Sequence, residues 1–246
     1  MTTTDQALST GTWMRRFADT VRSTQAQLTA LDQQVGDGDF GTNLSAGTVA
    51  ALTRLDALDA LTPLDACGAT GAAAALEAAA TAFLDEVGGT SGPLFGLLLQ
   101  SLAASVAELG LTTPALTRGV VKGLAAIRRV GGAAPGDKTL VDALAPAAAA
   151  LEALPARTVP AAALDAAAEA AWQGVRDTAR LRARMGRSSY VGARAAGVPD
   201  PGAVAVALFF ASAAGSVEDV TPYLSATWGT AAGPGVGHTP SGSATP

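Results

Sequence analysis

Apolar residues recur at helical spacing along most of the chain, and breaks rich in glycine and proline divide the pattern into segments. Trp13, Phe17, Val21, Leu28 and Leu31 share one face of a first helix, from Trp13 to about Gln33. A second runs from about Asn43 through Val49 and Leu52 to Leu55. Asp56 to Thr62 then reads as a connection, and Thr62-Pro63 as the start of a third helix that reaches about Val87. Gly88 to Pro93 interrupts the periodicity. Ser91 is placed there to cap a fourth helix with Pro93 in its first turn, continuing through Leu97 to Leu109. Thr113-Pro114 opens a fifth helix, ending near Val130. After the loop Gly131 to Gly136, Asp137 is placed to cap a sixth, which carries Leu140, Leu144 and Leu151 on one side and stops before Pro155. The seventh begins around Pro160 and passes Trp172 and Val175 to about Met185. A third glycine-bearing loop, Gly186 to Arg194, leads to Asp200-Pro201, a cap and first position for an eighth helix ending near Gly215.

Eight such helices with mostly short connections predict an all-α fold, an antiparallel up-and-down bundle. Composition agrees: aromatics are only 4%, whereas whole windows such as Ala72 to Ala75 and Ala147 to Ala150 are alanine, which favours helices over sheets. Residues 1–215 are expected to form the domain and 216–246 an extension. From Gly229 to Pro246 that extension is rich in Gly, Pro, Ser and Thr and is expected to be mobile, while Tyr223 and Trp228 are candidates to pack back on the body.

Several functions drop out. The net charge is -5 and the basic residues are scattered, so nucleic acid is not an expected partner. The single cysteine, Cys67, excludes an internal disulfide and a cysteine-rich zinc site, and its apolar surroundings suggest a buried thiol in a reducing cytoplasm. Met1 to Thr12 has no signal-peptide pattern. The long apolar windows considered carry charges such as Glu77, Asp165 or Glu169, so no membrane span is expected. The one histidine, His238, lies in the tail, which leaves the body without imidazole chemistry.

The informative stretch runs from Leu31 to Asn43. Asp32, Asp37 and Asp39 stand there among Gly36, Gly38 and Gly41 with no Lys or Arg, and such carboxylates repel one another unless a hard cation or several N–H donors lie between them. Gly36 to Gly41 formally matches G-x-G-x-x-G, but its lead-in is helical and not a strand. An EF-hand from Asp37 would place Thr48 where a bidentate glutamate is required, and Gly131 to Thr139 departs from a P-loop at Asp137. A polar turn capping the second helix is the plain alternative; three aspartates at this spacing favour a magnesium site, and magnesium brings phosphate oxygens with it. Thr90 and Ser91 at a helix start and the planar fork of Arg187 suit the same anion. Tyr190, Leu140 and Phe40 either pack in the core or line a purine pocket.

Four ordered segments, Leu31 to Asn43, Gly88 to Gly96, Pro135 to Thr139, and Gly186 to Tyr190 with Asp200 to Ala203, resemble the nucleotide-binding L subunit or domain of dihydroxyacetone kinase. The resemblance spans roughly Trp13 to Gly215. It implies an antiparallel eight-helix barrel holding ADP or ATP and two Mg2+ ions at one end. Asp32, Asp37 and Asp39 would be the metal ligands. Phe40, Gly41, Thr42, Asn43, Thr90, Ser91, Gly131, Leu140, Arg187, Asp200, Pro201 and Gly202 would surround the nucleotide, with Arg187 also neutralising charge in catalysis.

The resemblance further implies a phosphoryl-donor subunit for dihydroxyacetone or a close keto-sugar, held by a separate K-type subunit. The donor is either exchanging ATP or a retained ADP rephosphorylated by a phosphotransfer protein, and a homodimer is left open. Phe40 stands where the family often has histidine. The same domain type resembles the nucleotide-binding part of fatty acid kinases, and a non-catalytic regulatory or scaffold module is the alternative.

Overall fold

A computed structural model describes residues 8–61, 68–186, 188–191 and 195–224. Its long helices are α1 (Thr10–Val35), α2 (Phe40–Leu61), α3 (Gly68–Glu86), α4 (Ser91–Leu109), α5 (Thr113–Gly131), α6 (Val141–Ala153), α7 (Pro160–Thr178) and α9 (Pro201–Ala211). Two single turns, α8 (Ser188–Val191) and α10 (Thr221–Leu224), complete them, so among the described residues the fold is all-α. The starts follow local chemistry. The Ser9 hydroxyl accepts from Thr12 N–H at 3.0 Å before α1, and the Thr112 hydroxyl from Ala115 N–H at 3.3 Å before α5. Pro114, Pro160 and Pro201 occupy first-turn positions where no donor is lost.

Each long helix packs on its neighbour in the chain, and α9 lies against both α7 and α1, so the packing order returns to its beginning. The core joins the two ends of the chain. Trp13 packs on Phe209 with the rings tilted and their centroids 4.6 Å apart, and its indole N–H donates to the Phe209 carbonyl at 2.7 Å, while Phe17 lies 5.3 Å from Phe209 and 6.3 Å from Phe95. Small residues bring backbones together: a Cβ on Gly174 of α7 would lie 2.2 Å from the Asp142 carbonyl oxygen of α6.

Several expected boundaries are corrected. Asp56 to Leu61 is not a connection but the last part of α2, because Arg15 of α1 pairs with Asp56 at 2.9 Å and Asp59 at 2.5 Å. α2 also begins earlier, at Phe40. Ser91 is the first residue of α4 and not its cap; Thr90 holds that position without a side-chain bond. Asp137 does not cap α6, which starts at Val141, and α7 ends at Thr178, well before Met185. The start at Thr62-Pro63, Cys67, Arg187, Trp228, His238 and the tail lie outside the described residues.

Tyr223 does pack back, its ring stacked on Trp172 at 4.6 Å. The charged-window argument does not reach α4. Among the described residues it is the one helix long and apolar enough to cross a membrane, with 56% of that window buried within the fold.

Helix parity decides where the site lies. The connections 36–39, 87–90, 132–140 and 179–200 alternate with the others along the chain, so in an up-and-down bundle they gather at one end.

Candidate functional site

A pocket opens at that end, lined by Asp32, Asp37, Asp39, Phe40 and Asn43 from the first connection and by Gly89, Thr90, Ser91 and Leu94 from the α4 start. Lys138, Thr139 and Leu140, then Met185, Gly186 and Ser188, then Asp200, Pro201 and Gly202 complete it. The three separated glycine-bearing loops thus meet the aspartate turn.

The turn is built around Asp32. Its carbonyl accepts from Gly36 N–H at 2.5 Å, and its carboxylate Oδ2 accepts from Phe40 N–H at 3.0 Å, one of the donors left unpaired at the start of α2. A Cβ on Gly36 would stand 2.2 Å from Asp32 Oδ1, so the carboxylate can fold over the turn only because that position is glycine. Gly38 takes a left-handed φ of 84°. Among the described residues no three His, Cys, Asp or Glu side chains close into a group that could hold one metal ion. The three aspartates share a pocket wall, with Asp32 drawn toward Phe40 N–H.

Opposite the turn, α4 presents its N-terminus. Thr90 and Ser91 line the pocket, Pro93 carries no N–H, and the first-turn donors precede the first intrahelical bonds, an arrangement that attracts anions. The 132–140 loop is held from within by Asp142 of α6, whose carboxylate accepts from Gly136 N–H at 2.5 Å and Thr139 N–H at 2.8 Å. The Asp137 carboxylate instead accepts from Ala134 N–H at 2.8 Å.

Asp200 caps α9, its Oδ2 accepting from Ala203 N–H at 2.7 Å while its own N–H donates to the Thr178 hydroxyl at 2.9 Å. Burial pushes its carboxyl up to about 7, against the opposing pull of the Ala203 N–H and the Lys138 ammonium. Lys138 is buried as well, and desolvation lowers its ammonium below the ordinary lysine range, with Asp200 and Asp142 acting in the other direction.

Of the residues expected around a nucleotide, Phe40, Asn43, Thr90, Ser91, Leu140, Asp200, Pro201 and Gly202 line the pocket together with Asp32, Asp37 and Asp39. Gly41, Thr42 and Gly131 are not among its lining residues: Gly41 faces α1, where a Cβ would meet Thr29 Oγ1 at 2.4 Å, and Gly131 closes α5 beside Leu94. Arg187 lies outside the described residues. Tyr190 is 90% exposed, neither core nor pocket wall.

Leu94, Lys138, Thr139 and Met185 line the pocket without having been singled out individually as site residues. Lys138 and Thr139 stand in the matched Pro135 to Thr139 segment, which was the signal available for them. Leu94, Leu140, Met185 and Pro201 give an apolar surface, and the pocket brings it together with three carboxylates and a helix start.

Residues 34–215 match the model of the DAK2 domain family. The chain is 32% identical over 197 residues to the ADP-binding subunit DhaL of the PEP-dependent dihydroxyacetone kinase of Escherichia coli, covering 79% of this chain and 89% of that protein. It is 36% identical over 194 residues to the D-erythrulose kinase of Mycolicibacterium smegmatis, but there the matched part is 78% of this chain and only 32% of the relative. The chain therefore corresponds to about a third of such longer kinases. Among solved structures it is similar to the dihydroxyacetone kinase from C. freundii in complex with AMP-PNP and Mg2+, with a TM-score of 0.61 and 26% identity over 86% of this chain and 35% of that one.

Proposed function

The chain belongs to the DAK2 domain family as a DhaL-type domain, and on that premise we propose that it is the nucleotide-binding, phosphoryl-donating component of a keto-sugar kinase. The observation that carries the reading is one pocket lined by three aspartates, the N-terminus of α4 and apolar side chains. Those chemistries match the three parts of a magnesium-bound adenine nucleotide: cation, phosphate and base.

Asp32, Asp37 and Asp39 would hold Mg2+, two ions by the family resemblance. When bound, the metal offsets phosphate charge that the carboxylates alone would repel. Thr90 and Ser91 orient the phosphates through N–H and hydroxyl donors, and Arg187 supplies a planar fork to the transferring group. Leu94, Leu140, Met185 and Pro201 receive the base and exclude water from it. None of these groups is a nucleophile, so rate enhancement comes from positioning and charge neutralisation. The acceptor, dihydroxyacetone or a close keto-sugar, would be held by a separate K-type subunit; similarity to both dihydroxyacetone and erythrulose kinases supports the class.

Titration of the purified chain with ADP, with and without Mg2+, tests the binding step, and absence of Mg2+-dependent heat would overturn it. Adding a K-type subunit and ATP, or a phosphotransfer protein as donor, should give phosphorylated keto-sugar, while the chain alone should give none. Phe40 favours a second reading, a non-catalytic nucleotide-filled regulatory module, because a phenyl ring at the pocket wall offers phosphate no hydrogen bond. Nucleotide binding with no product beside any K-type subunit would select it.

A further inference from the structure

We propose that Lys138 is a positioning residue: its buried ammonium ties together the two pocket walls, 138–140 and 200–202, that receive the nucleotide. The inference rests on the nucleotide reading above and assigns a role to a residue that reading leaves unused.

Lys138 is the one non-glycine among the described residues with a left-handed backbone, at φ 62°. Glycine adopts that conformation without steric cost and lysine does not. A lysine held there points to a side chain whose contacts over-determine the backbone. Those contacts are unusual. Only 1% of Lys138 is exposed, and Nζ donates to the carbonyl oxygens of Thr178 and Val198, both at 2.6 Å.

Neither acceptor lines the pocket, but each lies directly behind the opposite wall. Thr178 is the last residue of α7, where carbonyls lack intrahelical partners and the helix end attracts a cation. Its hydroxyl accepts from Asp200 N–H at 2.9 Å, so the carbonyl that receives Lys138 and the hydroxyl that seats the α9 cap are on one residue. Val198 lies two positions before that cap. Across the pocket floor Gly202 approaches Leu140 so closely that a Cβ would be 3.3 Å from Leu140 Cβ. The walls therefore touch at Gly202 and Leu140, and the Lys138 ammonium adds a second tie through Thr178 and Val198. A flexible stem carrying three donors can span both carbonyls, whereas an apolar side chain would remove a donor from each and leave the Thr178 carbonyl with the Leu181 N–H at 3.1 Å.

The test compares Lys138→Gly, which accepts the left-handed backbone but has no ammonium, and Lys138→Met, which keeps the stem. The control is Leu116→Ala, a buried residue of α5 that does not line the pocket. MgADP affinity is measured by calorimetry on the full chain, with melting temperature and circular dichroism in parallel. Both Lys138 variants should bind MgADP roughly 10- to 100-fold more weakly, the scale expected when binding groups are displaced by about 1 Å. Leu116→Ala should bind as wild type does even if it melts lower. Unimpaired binding by Lys138→Gly overturns the assignment, and so does an equal loss in Leu116→Ala, which would make the effect one of general stability. If neither Lys138 variant folds, the residue belongs to the fold and not to the site, and the proposal falls. If wild type fails to bind MgADP, the nucleotide reading itself fails and takes this one with it.

Discussion

The backbone N–H of Phe40 donates to Oδ2 of Asp32 at 3.0 Å, so one residue closes the last turn of α1 through its backbone carbonyl and satisfies a first-turn donor of α2 through its carboxylate. Asp32 thereby carries a structural duty in addition to its place on the pocket wall. Asp32→Ala should lower stability by about 1 kcal/mol, the usual worth of a lost helix-start acceptor, as well as abolishing magnesium-dependent binding. Asp37→Asn keeps a side-chain oxygen acceptor of the same size and should lose less in melting temperature than Asp32→Ala while MgADP affinity falls steeply, since it removes one hard ligand from the set. Thermal melts paired with calorimetry separate the two effects. Equal melting losses in both variants would show that Asp32 has no special part in the turn.

Gly36→Ala tests the same turn from the backbone side. Its φ of -147° lies outside the left-handed range that favours glycine, so the atoms that the new methyl meets decide the outcome. The new methyl would nevertheless collide with Asp32 Oδ1, which stands 2.2 Å from the Cβ position, and must push the carboxylate aside. The expected result is a larger loss of ADP affinity with Mg2+ present than with Mg2+ absent. A uniform loss under both conditions would mean that the carboxylate had not moved relative to the cation.

These two cases show what was legible in the chain. Helix starts marked by Thr113-Pro114, Pro160 and Asp200-Pro201 were readable because capping and proline act locally, and the aspartate turn was readable because glycine and acid crowd into a few residues. The errors come where another side chain takes the role, whether from far along the chain or from the next turn. Asp56 and Asp59 look like a polar connection until Arg15, more than forty positions earlier, is seen to pair with them. Asp137 looks like a cap for α6, but the loop before that helix is organised by Asp142 reaching back to Gly136 and Thr139. Lys138 is marked only by the matched Pro135 to Thr139 segment, and its contacts are not legible there, because its acceptors, Thr178 and Val198, come from a distant part of the chain.

Asp200 predicts a pH dependence. Its carboxyl is raised from the ordinary value of 3.8 to about 7 in the folded chain by burial, so between those values the native state binds a proton that the unfolded state does not. By linkage, stability from this group falls as pH rises through that window, with no penalty below about 4 and the full penalty above about 7. Asp200→Asn retains an oxygen acceptor for Ala203 N–H but cannot ionise. The melting temperature of Asp200→Asn relative to wild type should therefore increase from pH 5 to pH 8. A difference that stays constant over that range would place the ordinary carboxylate value on Asp200.

Residues 216–224 predict a sharp boundary in what can be removed from the C-terminal side. Val217 and Val220 are buried, with 7% and 2% exposure, and their N–H groups donate to the Thr20 hydroxyl at 2.9 Å and the Gln27 side-chain oxygen at 3.1 Å of α1. Arg176 of α7 donates to the Tyr223 carbonyl at 3.3 Å while the tyrosine ring stacks on Trp172. The segment thus bridges α1 and α7 across the junction that α9 fills. Burying two valines contributes roughly 3–6 kcal/mol and an aromatic stack about 1 kcal/mol more, a large part of the stability of an ordinary domain. Gly229 to Pro246 has a composition that buries little, and ordering each residue would cost about 1–2 kcal/mol of backbone entropy. Removing 229–246 should therefore leave melting temperature and ADP affinity as they were, whereas removing 216–246 should lower the melting temperature by many degrees or prevent folding. If the longer deletion melted with wild type, the contacts of Val217, Val220 and Tyr223 would contribute nothing net; if the shorter deletion lost stability, the glycine-rich residues would have to dock on the body after all.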